Sequence, residues 1–463
     1  MHLSGREIGS LIFFIMTNPQ GFADLKISSV VLAVLAKLNL TEPTPIQQKA
    51  IPVALAGQDV IGIAQTGTGK TLAFGIPTIE KILKTNQQAL IIAPTRELAL
   101  QVGESLRKVG QSLNIRVAVL IGGEVFDKQL FQLRRNPSII VATPGRLLDH
   151  MKRRTFKISG INTLILDEAD MMLDMGFAPQ IKEILEAAPK NRQTMLFSAT
   201  MPAEIVSIAT TYLQTPISIE TAPPGTTASL IDQEIFIIKN EERLDYLQKI
   251  LQQYNGSVLV FVRTKHGVKM LAQKLVASGH KAIEIHSNLT LNRRRRALDD
   301  FKSGRERILV ATDVAARGLD INGIELVVNY NLPDSRDDYV HRIGRTARAG
   351  KSGKAISLAT PAEQRMVYAI ERLINKTIKK TDFARSKTTA TSDSTERTER
   401  SYSANRSRRP QSNRRSSQNS RSGQGNRFNQ TSRSGQTPRS SQAGRSSKWT
   451  SRRPSYRAKK NVS

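Results

Sequence analysis

Two successive series of short apolar runs, five in each, constrain this 463-residue chain more than any other feature. The first series is DVIGIA at 59 to 64, ALIIAPT at 89 to 95, SIIVATP at 138 to 144, TLILDEAD at 163 to 170 and TMLFSAT at 194 to 200. The second is SVLVFVRT at 257 to 264, KAIEIH at 281 to 286, RILVATD at 307 to 313, ELVVNYN at 325 to 331 and KAISLA at 354 to 359. Runs rich in Ile, Val and Leu that do not alternate with polar residues read as strands buried on both faces, and helical patterns between them read as crossovers of a parallel sheet. The expectation is two α/β domains. In both series polar residues follow the apolar run, at the strand ends where open α/β sheets bind their ligands.

Between the series lies TAPPGTTAS, residues 221 to 229, with the Pro/Gly/Thr composition of a linker. The expected division is therefore an N-terminal extension at 1 to 20, a first domain at 21 to 220, the hinge at 221 to 229 and a second domain at 230 to 383. Residues 384 to 463 have another texture, Ser, Arg, Gln and Asn with hardly any aliphatics, and this composition predicts a disordered tail. The tail carries 20 Lys and Arg against 3 Asp and Glu, a net of +17 out of +30 for the whole chain. Such an excess points to a polyanionic partner, nucleic acid or an acidic membrane surface. Tyr402, Phe428, Trp449 and Tyr456 stand among the tail arginines and could stack on single-stranded bases.

Several classes are excluded. The chain has no cysteine, so it has no disulfide, thiolate metal site or cysteine nucleophile. His280, Glu284 and His286 lie in a strand-like stretch and are read as ordinary satisfied or exposed side chains rather than metal ligands. The longest apolar run near the start, LIFFIM at 11 to 16, is far shorter than the roughly 18 residues a membrane span needs. With no A-x-A-like cleavage site after it, the reading is that Met16 is the natural start.

AQTGTGKT, residues 64 to 71, follows the apolar DVIGI and precedes a helical pattern, which is the context a phosphate cradle requires. Backbone amides over Gly67, Thr68, Gly69, Lys70 and Thr71, continuous with Gln65 and Thr66, can surround a β-phosphate. Lys70 can reach the β- and γ-phosphates, and the Thr71 hydroxyl can hold Mg²⁺. LILDEAD then ends a strand in Asp167 and Glu168, a metal-holding carboxylate beside a candidate general base. The two motifs together predict hydrolysis of a magnesium nucleotide.

From about Phe22 to Tyr368 these motifs, in order and spacing, resemble the DEAD-box ATP-dependent RNA helicases, named for the tetrapeptide at Asp167 to Asp170. The resemblance implies two tandem RecA-like domains, ATP and Mg²⁺ as ligands and RNA as partner, with a ribonucleoprotein or ribosome-assembly setting in the bacterial cytoplasm and no membrane. It implies that Gln47 of PTPIQ reads the adenine edge and Phe22 stacks on the base, although Asn39 and Leu40 replace the family's glycine and aromatic. For RNA it implies backbone contacts from Thr95 and Arg96 of PTRELA, from Gly122 and Gly123, from Thr143, Pro144, Gly145 and Arg146, and from Arg263, Arg294, Thr312 and Asp313. Gly318 and Asp320 fall near the ribose and phosphates. Ser198 and Thr200 of SAT are implied to couple hydrolysis to strand separation through Asp170 and His341. At 291 the family has glutamine where this chain has leucine, beside an added cluster of arginines at 293, 295 and 296.

HRIGRTARAG, residues 341 to 350, spaces Arg342, Arg345 and Arg348 three apart, which in isolation reads as a solvated basic face. The resemblance separates their roles: Arg345 and Arg348 at the γ-phosphate once the hinge closes, Arg342 bracing the domain interface. Ala347 stands where the family has glycine, and if the backbone there has positive φ an alanine is strained. The expected function is an RNA-stimulated ATPase that locally unwinds short duplexes. The rival readings are an ATP-gated RNA clamp or annealing chaperone, and a DNA-specific motor.

Overall fold

The computed structural model describes residues 21–65, 67–221, 231–316, 324–347 and 353–380. The expectations for the N-terminal extension, the tail, Thr66, Gly318, Asp320 and Arg348, and all but the first residue of the hinge, lie outside the described residues.

Each apolar series builds one parallel sheet. In the first lobe the strands are β1 (Val60–Ile63), β2 (Gln88–Ile92), β3 (Val117–Leu120), β4 (Ile139–Ala142), β5 (Ile161–Asp167), β6 (Gln193–Ser198) and β7 (Ile217–Glu220). They lie in the order β3-β4-β2-β5-β6-β1-β7, every neighbouring pair parallel. In the second lobe β8 (Ile231–Ile237), β9 (Val258–Phe261), β10 (Ala282–Ile285), β11 (Ile308–Ala311), β12 (Leu326–Asn329), β13 (Gly353–Ala359) and β14 (Lys379–Lys380) lie in the order β10-β11-β9-β12-β13-β8-β14, again all parallel. Two RecA-like lobes follow each other along the chain.

The reason the strands lack alternation is visible in the core. Ala89 and Ile91 of β2 enter one buried cluster while Leu90 and Ile92 enter another on the opposite face. Likewise Val258 and Val260 of β9 face one cluster, and Leu259 and Phe261 another. With both faces covered, inner-strand positions are mostly apolar, and buried polar ones such as Asn329 and Ser357 are hydrogen-bonded to each other.

The covering helices of the first lobe are α1 (Ser29–Lys37), α2 (Pro45–Leu55), α3 (Lys70–Thr85), α4 (Arg96–Gly110), α5 (Phe126–Arg134), α6 (Pro144–Lys152), α7 (Ala169–Asp174), α8 (Ala178–Ala187) and α9 (Ala203–Tyr212). Those of the second are α10 (Arg243–Gln253), α11 (Lys265–Ala277), α12 (Leu291–Lys302), α13 (Asp313–Ala316), α14 (Arg336–Ile343) and α15 (Gln364–Ile374). Helix starts follow local chemistry: the Thr95 hydroxyl accepts from Leu98 N–H at 3.2 Å, and Pro144 opens α6 where its missing N–H costs nothing. β3 is an edge strand, and two of its outward groups are capped by neighbouring helices. Val119 N–H donates to Gln132 Oε1 at 3.0 Å, and Arg107 Nη2 donates to the Val117 carbonyl at 3.4 Å.

Candidate functional site

The phosphate loop joins β1 to α3, with Gly67 and Gly69 at φ +88° and +94°. A side chain at Gly69 would be strained by that φ and would also strike Gln47, because an added Cβ would lie 2.5 Å from Gln47 Nε2. Lys70 opens α3, is buried, and donates to the Ala64 carbonyl at 3.0 Å. Facing it, Asp167 ends β5. Burial raises its carboxyl far above the usual carboxylate range while Lys70 pulls the other way, and its Oδ1 has no hydrogen-bond partner. Glu168 follows at φ +51°, a left-handed conformation that a glutamate rarely adopts, at the cap of α7.

Asp170 is the hub of the site. Its Oδ2 accepts from Ala199 N–H at 3.1 Å, Thr200 N–H at 2.9 Å and Thr200 Oγ1 at 2.9 Å, and its Oδ1 accepts from Met171 N–H at 2.9 Å. Its own N–H donates to Ser198 Oγ at 3.2 Å. Burial opposes the charge, but Lys70 and, from the second lobe, His341 hold the carboxyl below its usual range. Asp170, Ser198, Thr200 and His341 are thus brought together as the sequence predicts.

The expected nucleic-acid loops also converge. Arg96 lies across the Gly122–Gly123 turn, so close that a Cβ at Gly123 would stand 2.3 Å from its guanidinium, and φ at Gly123 is +77°. Arg146 donates Nη2 to the Glu124 carbonyl at 3.2 Å and lies 5.8 Å from the Phe126 ring centre, leaving a buried Nη1 without a partner. Thr143 precedes α6 as its cap, with Gly145 unobstructed behind Pro144.

The DEAD/DEAH box helicase family profile matches residues 44–208, and the helicase conserved C-terminal domain profile matches residues 242–350. The chain is 47% identical over 354 residues to the DEAD-box ATP-dependent RNA helicase CshA of Bacillus subtilis, covering 76% of this chain and 72% of that one. It belongs to the DEAD-box ATP-dependent RNA helicase family. CshA of Listeria monocytogenes is 46% identical, over 77% of this chain and 69% of its own. Among solved structures, S. cerevisiae Dbp5 bound to RNA and ADP BeF3 is similar with a TM-score of 0.73 at 30% identity, covering 79% of this chain and 96% of that one. A form of Mss116p bound to ssRNA and AMP-PNP also scores 0.73, at 28% identity over 80% of each chain.

Several expected site residues are engaged within the protein, and the readings of Arg342 and His286 need correction. Gln47, expected at the adenine edge, is buried with both ends of its amide engaged: Oε1 accepts from Thr44 N–H at 3.0 Å and Nε2 donates to the Gly69 carbonyl at 2.9 Å. Phe22 is only 4% exposed and belongs to the first lobe's core, so its ring is not an open platform. Arg342 does not brace the domain interface. It is buried inside the second lobe, paired through Nη2 with Asp313 at 2.7 Å and donating to Asn329 Oδ1 at 3.1 Å and the Asn331 carbonyl at 2.6 Å. Asp313, expected near RNA, is thereby bound to an arginine of its own lobe. His286 is neither satisfied nor exposed: it is buried 3.6 Å from Glu284, with neither ring nitrogen hydrogen-bonded. No cluster suited to a metal occurs among the described residues.

Among the described residues, the other expected site arginines of the second lobe, Arg263, Arg294 and Arg345, are held by protein groups. Arg263 reaches Asp334 at 3.2 Å and Glu363 at 3.3 Å, beside Thr312 whose N–H donates to the Ile285 carbonyl at 3.4 Å. Arg345 is buried and donates to the His341 carbonyl at 3.2 Å. Arg294 crosses to the first lobe and pairs with Glu97 at 2.9 Å, while Arg295 approaches Glu124 at 3.7 Å. Leu291 is buried within the first lobe's hydrophobic cluster, so α12 docks there through one apolar and two charged side chains. Ala347 has φ +55°, the strained conformation the sequence comparison raised.

Sequence reasoning missed the groups that link the Gly122–Gly123 turn to α6. Gln129 of α5 is fully buried, donates Nε2 to the Ile121 carbonyl at 2.8 Å and meets His150 Nε2 of α6 at 3.2 Å. His150 Nδ1 lies 2.8 Å from Thr155 Oγ1, and the ring stacks on Phe126 at 4.3 Å. Burial, with Arg146 adding to it, pushes His150 down to about 4, so the imidazole is neutral near pH 7. Nothing in the sequence marks this pair, because each residue is an isolated polar position on an amphipathic helix.

Proposed function

We propose that this helicase hydrolyses ATP when RNA is bound, and that it locally unwinds short duplexes or remodels RNA–protein complexes in the bacterial cytoplasm. The observation that carries the proposal is the Asp170 hub, where one carboxylate joins the DEAD strand, the SAT turn and His341 of the other lobe. A change at the γ-phosphate is thereby transmitted to the turn and to the lobe contact.

In this reading Gly67 to Thr71 and Lys70 cradle the phosphates, and Glu168 takes the proton of the attacking water. Arg345, with Arg348, supplies positive charge from the second lobe; such arginines are worth about 10³ to 10⁵ in rate. To reach ATP, Arg345 exchanges its His341 carbonyl for phosphate oxygens. Thr71 and the unpartnered oxygen of Asp167 fit Mg²⁺, a hard ion that takes one or two protein oxygens and completes its shell with phosphates and water. Bound with ATP it would neutralise charge on the β- and γ-oxygens. RNA contacts come from Thr95, Arg96, Gly122, Gly123, Thr143 to Arg146, Arg263 and Arg294, and they hold backbone without reading bases. Because ATP and RNA favour the same lobe arrangement, each raises the affinity for the other. The tail from 384 adds nonspecific RNA binding and raises local RNA concentration at the core.

Glu168→Gln should abolish both RNA-stimulated ATP hydrolysis and duplex unwinding while ATP and RNA still bind. Full unwinding by that variant would refute the mechanism and favour the ATP-gated clamp or annealing chaperone.

A further inference from the structure

The outer surface of α5 bears a feature that neither the nucleotide site nor the gripping loops use. Its solvent face carries Lys128, Phe131 and Arg135, spaced 3 and 4 residues apart and hence along one helical stripe. Phe131 is 63% exposed, and the Arg135 guanidinium lies 5.8 Å from its ring centre. At the far end of the helix the stripe opens into a cavity of about 860 Å³ lined by Arg107, Arg116 and Arg135, with amide side chains that include Gln132 and with no acidic residue in its wall. Asp127 is the one carboxylate on the solvent face of the helix.

Part of this has a structural purpose. Arg107 caps the Val117 carbonyl, and Arg116 Nη1 donates to the Arg135 carbonyl at 2.5 Å. Those bonds use one nitrogen of each guanidinium, and they do not explain an exposed phenylalanine between cations. Aromatic rings interleaved with arginines are the composition of a single-strand platform, on which bases stack while cations meet phosphates.

The geometry points to an accessory single-stranded RNA site on the first lobe, running along α5 from the Gly122–Gly123 turn to the basic cavity at the β3 edge. It rests on the RNA reading above and extends it, giving a flank of the bound strand a track outside the cleft between the lobes. α5 has nine residues and so spans about 14 Å, room for a few nucleotides. β3 is the edge of its sheet, so among the described residues no further strand covers this path.

The test uses the full chain and five RNAs: a ten-nucleotide single strand, the same strand extended by ten nucleotides at its 5′ end or at its 3′ end, and a 4-thiouridine version of each extension for crosslinking. The triple variant Lys128→Gln, Phe131→Ala, Arg135→Gln changes exposed side chains only, and thermal melting should match the wild type. Wild type should bind one extension more tightly than the ten-mer, and the variant should lose about tenfold of that gain. Ten-mer-stimulated ATPase should be unchanged, and the crosslink should map to α5. An undiminished gain, or crosslinks confined to the tail, would overturn the site and leave the face to an acidic protein segment. Weakened ten-mer binding would also overturn it, by merging the stripe with the central site. If the ten-mer fails to stimulate wild-type ATPase, it is the proposed function that fails instead.

Discussion

The two lobes share a fold but hold their charged groups differently. In the first lobe Asp167 and Arg146 each keep an unpartnered atom: Oδ1 of Asp167 and Nη1 of Arg146 are buried with no hydrogen bond. In the second, Arg342 and Arg263 are bound to carboxylates of their own lobe, Arg294 is bound across to Glu97 through Nη2 with its Nε unpartnered, and Arg345 donates to the His341 carbonyl of the preceding helix. A buried unpartnered polar atom costs about 1 to 3 kcal/mol, and a ligand that satisfies it recovers that amount. At Asp167 and Arg146 the first lobe therefore has atoms open to a ligand, whereas Arg345 of the second must exchange its carbonyl partner to act. This is a physical basis for dependence of hydrolysis on RNA, since the exchange needs both ligands in place.

The largest test of that contrast is Arg345→Ala, which should lower RNA-stimulated ATP hydrolysis by about 10³-fold with little change in KM for ATP. An unchanged rate would mean the second lobe contributes no charge to the reaction, and the contrast would lose its meaning. Next comes Gln129→Leu, which strands the Ile121 carbonyl and the His150 ring. About 2 to 3 kcal/mol of stability should be lost, with KM for RNA rising more than kcat falls.

The same network sets a pH dependence. His150 titrates at 6.5 when unfolded and near 4 when folded, so the unfolded chain binds more protons between those values. Stability should fall as pH drops from 6.5 toward 4, and melting curves of wild type and His150→Gln should converge across that window. Parallel curves would show that the ring does not titrate as its burial requires.

Leu291→Gln should weaken the seating of α12 by about 2 kcal/mol, the worth of one buried leucine. Resonance energy transfer between one label in each lobe would report the shift toward separated lobes. The smallest effect is expected for Ala347→Gly, which relieves positive φ by about 1 kcal/mol and should raise Tm by about 2 to 4 °C. Faster hydrolysis in that variant would mean the strain also misplaces Arg348.

These predictions divide by how far the sequence could foresee them. All five expected strands of each lobe are present, because burial on both faces leaves an unbroken apolar run. β3, β7, β8 and β14, by contrast, did not stand out: β3 is a four-residue strand at the sheet edge, Asp232 and Glu234 interrupt β8, β7 exposes every other residue, and β14 is two lysines. The phosphate loop and Asp167 were legible because phosphate chemistry dictates both residue types and strand context. Arg342 was not, since its carboxylate lies 29 residues away and its neighbours in sequence give no sign of it. Gln47 was read for its chemistry alone, but its position three residues into α2, after Thr44, also makes it half of a helix cap.

The capped edge of the first sheet has a consequence for solubility. A bare edge strand is a template on which another chain can add its own strand, and a protein crowded onto one RNA meets its copies at high local concentration. With Gln132 occupying the Val119 N–H and Arg107 the Val117 carbonyl, the ladder that β3 offers a second copy is interrupted. On that side of the lobe, neighbours on the same strand of RNA can touch without their sheets fusing.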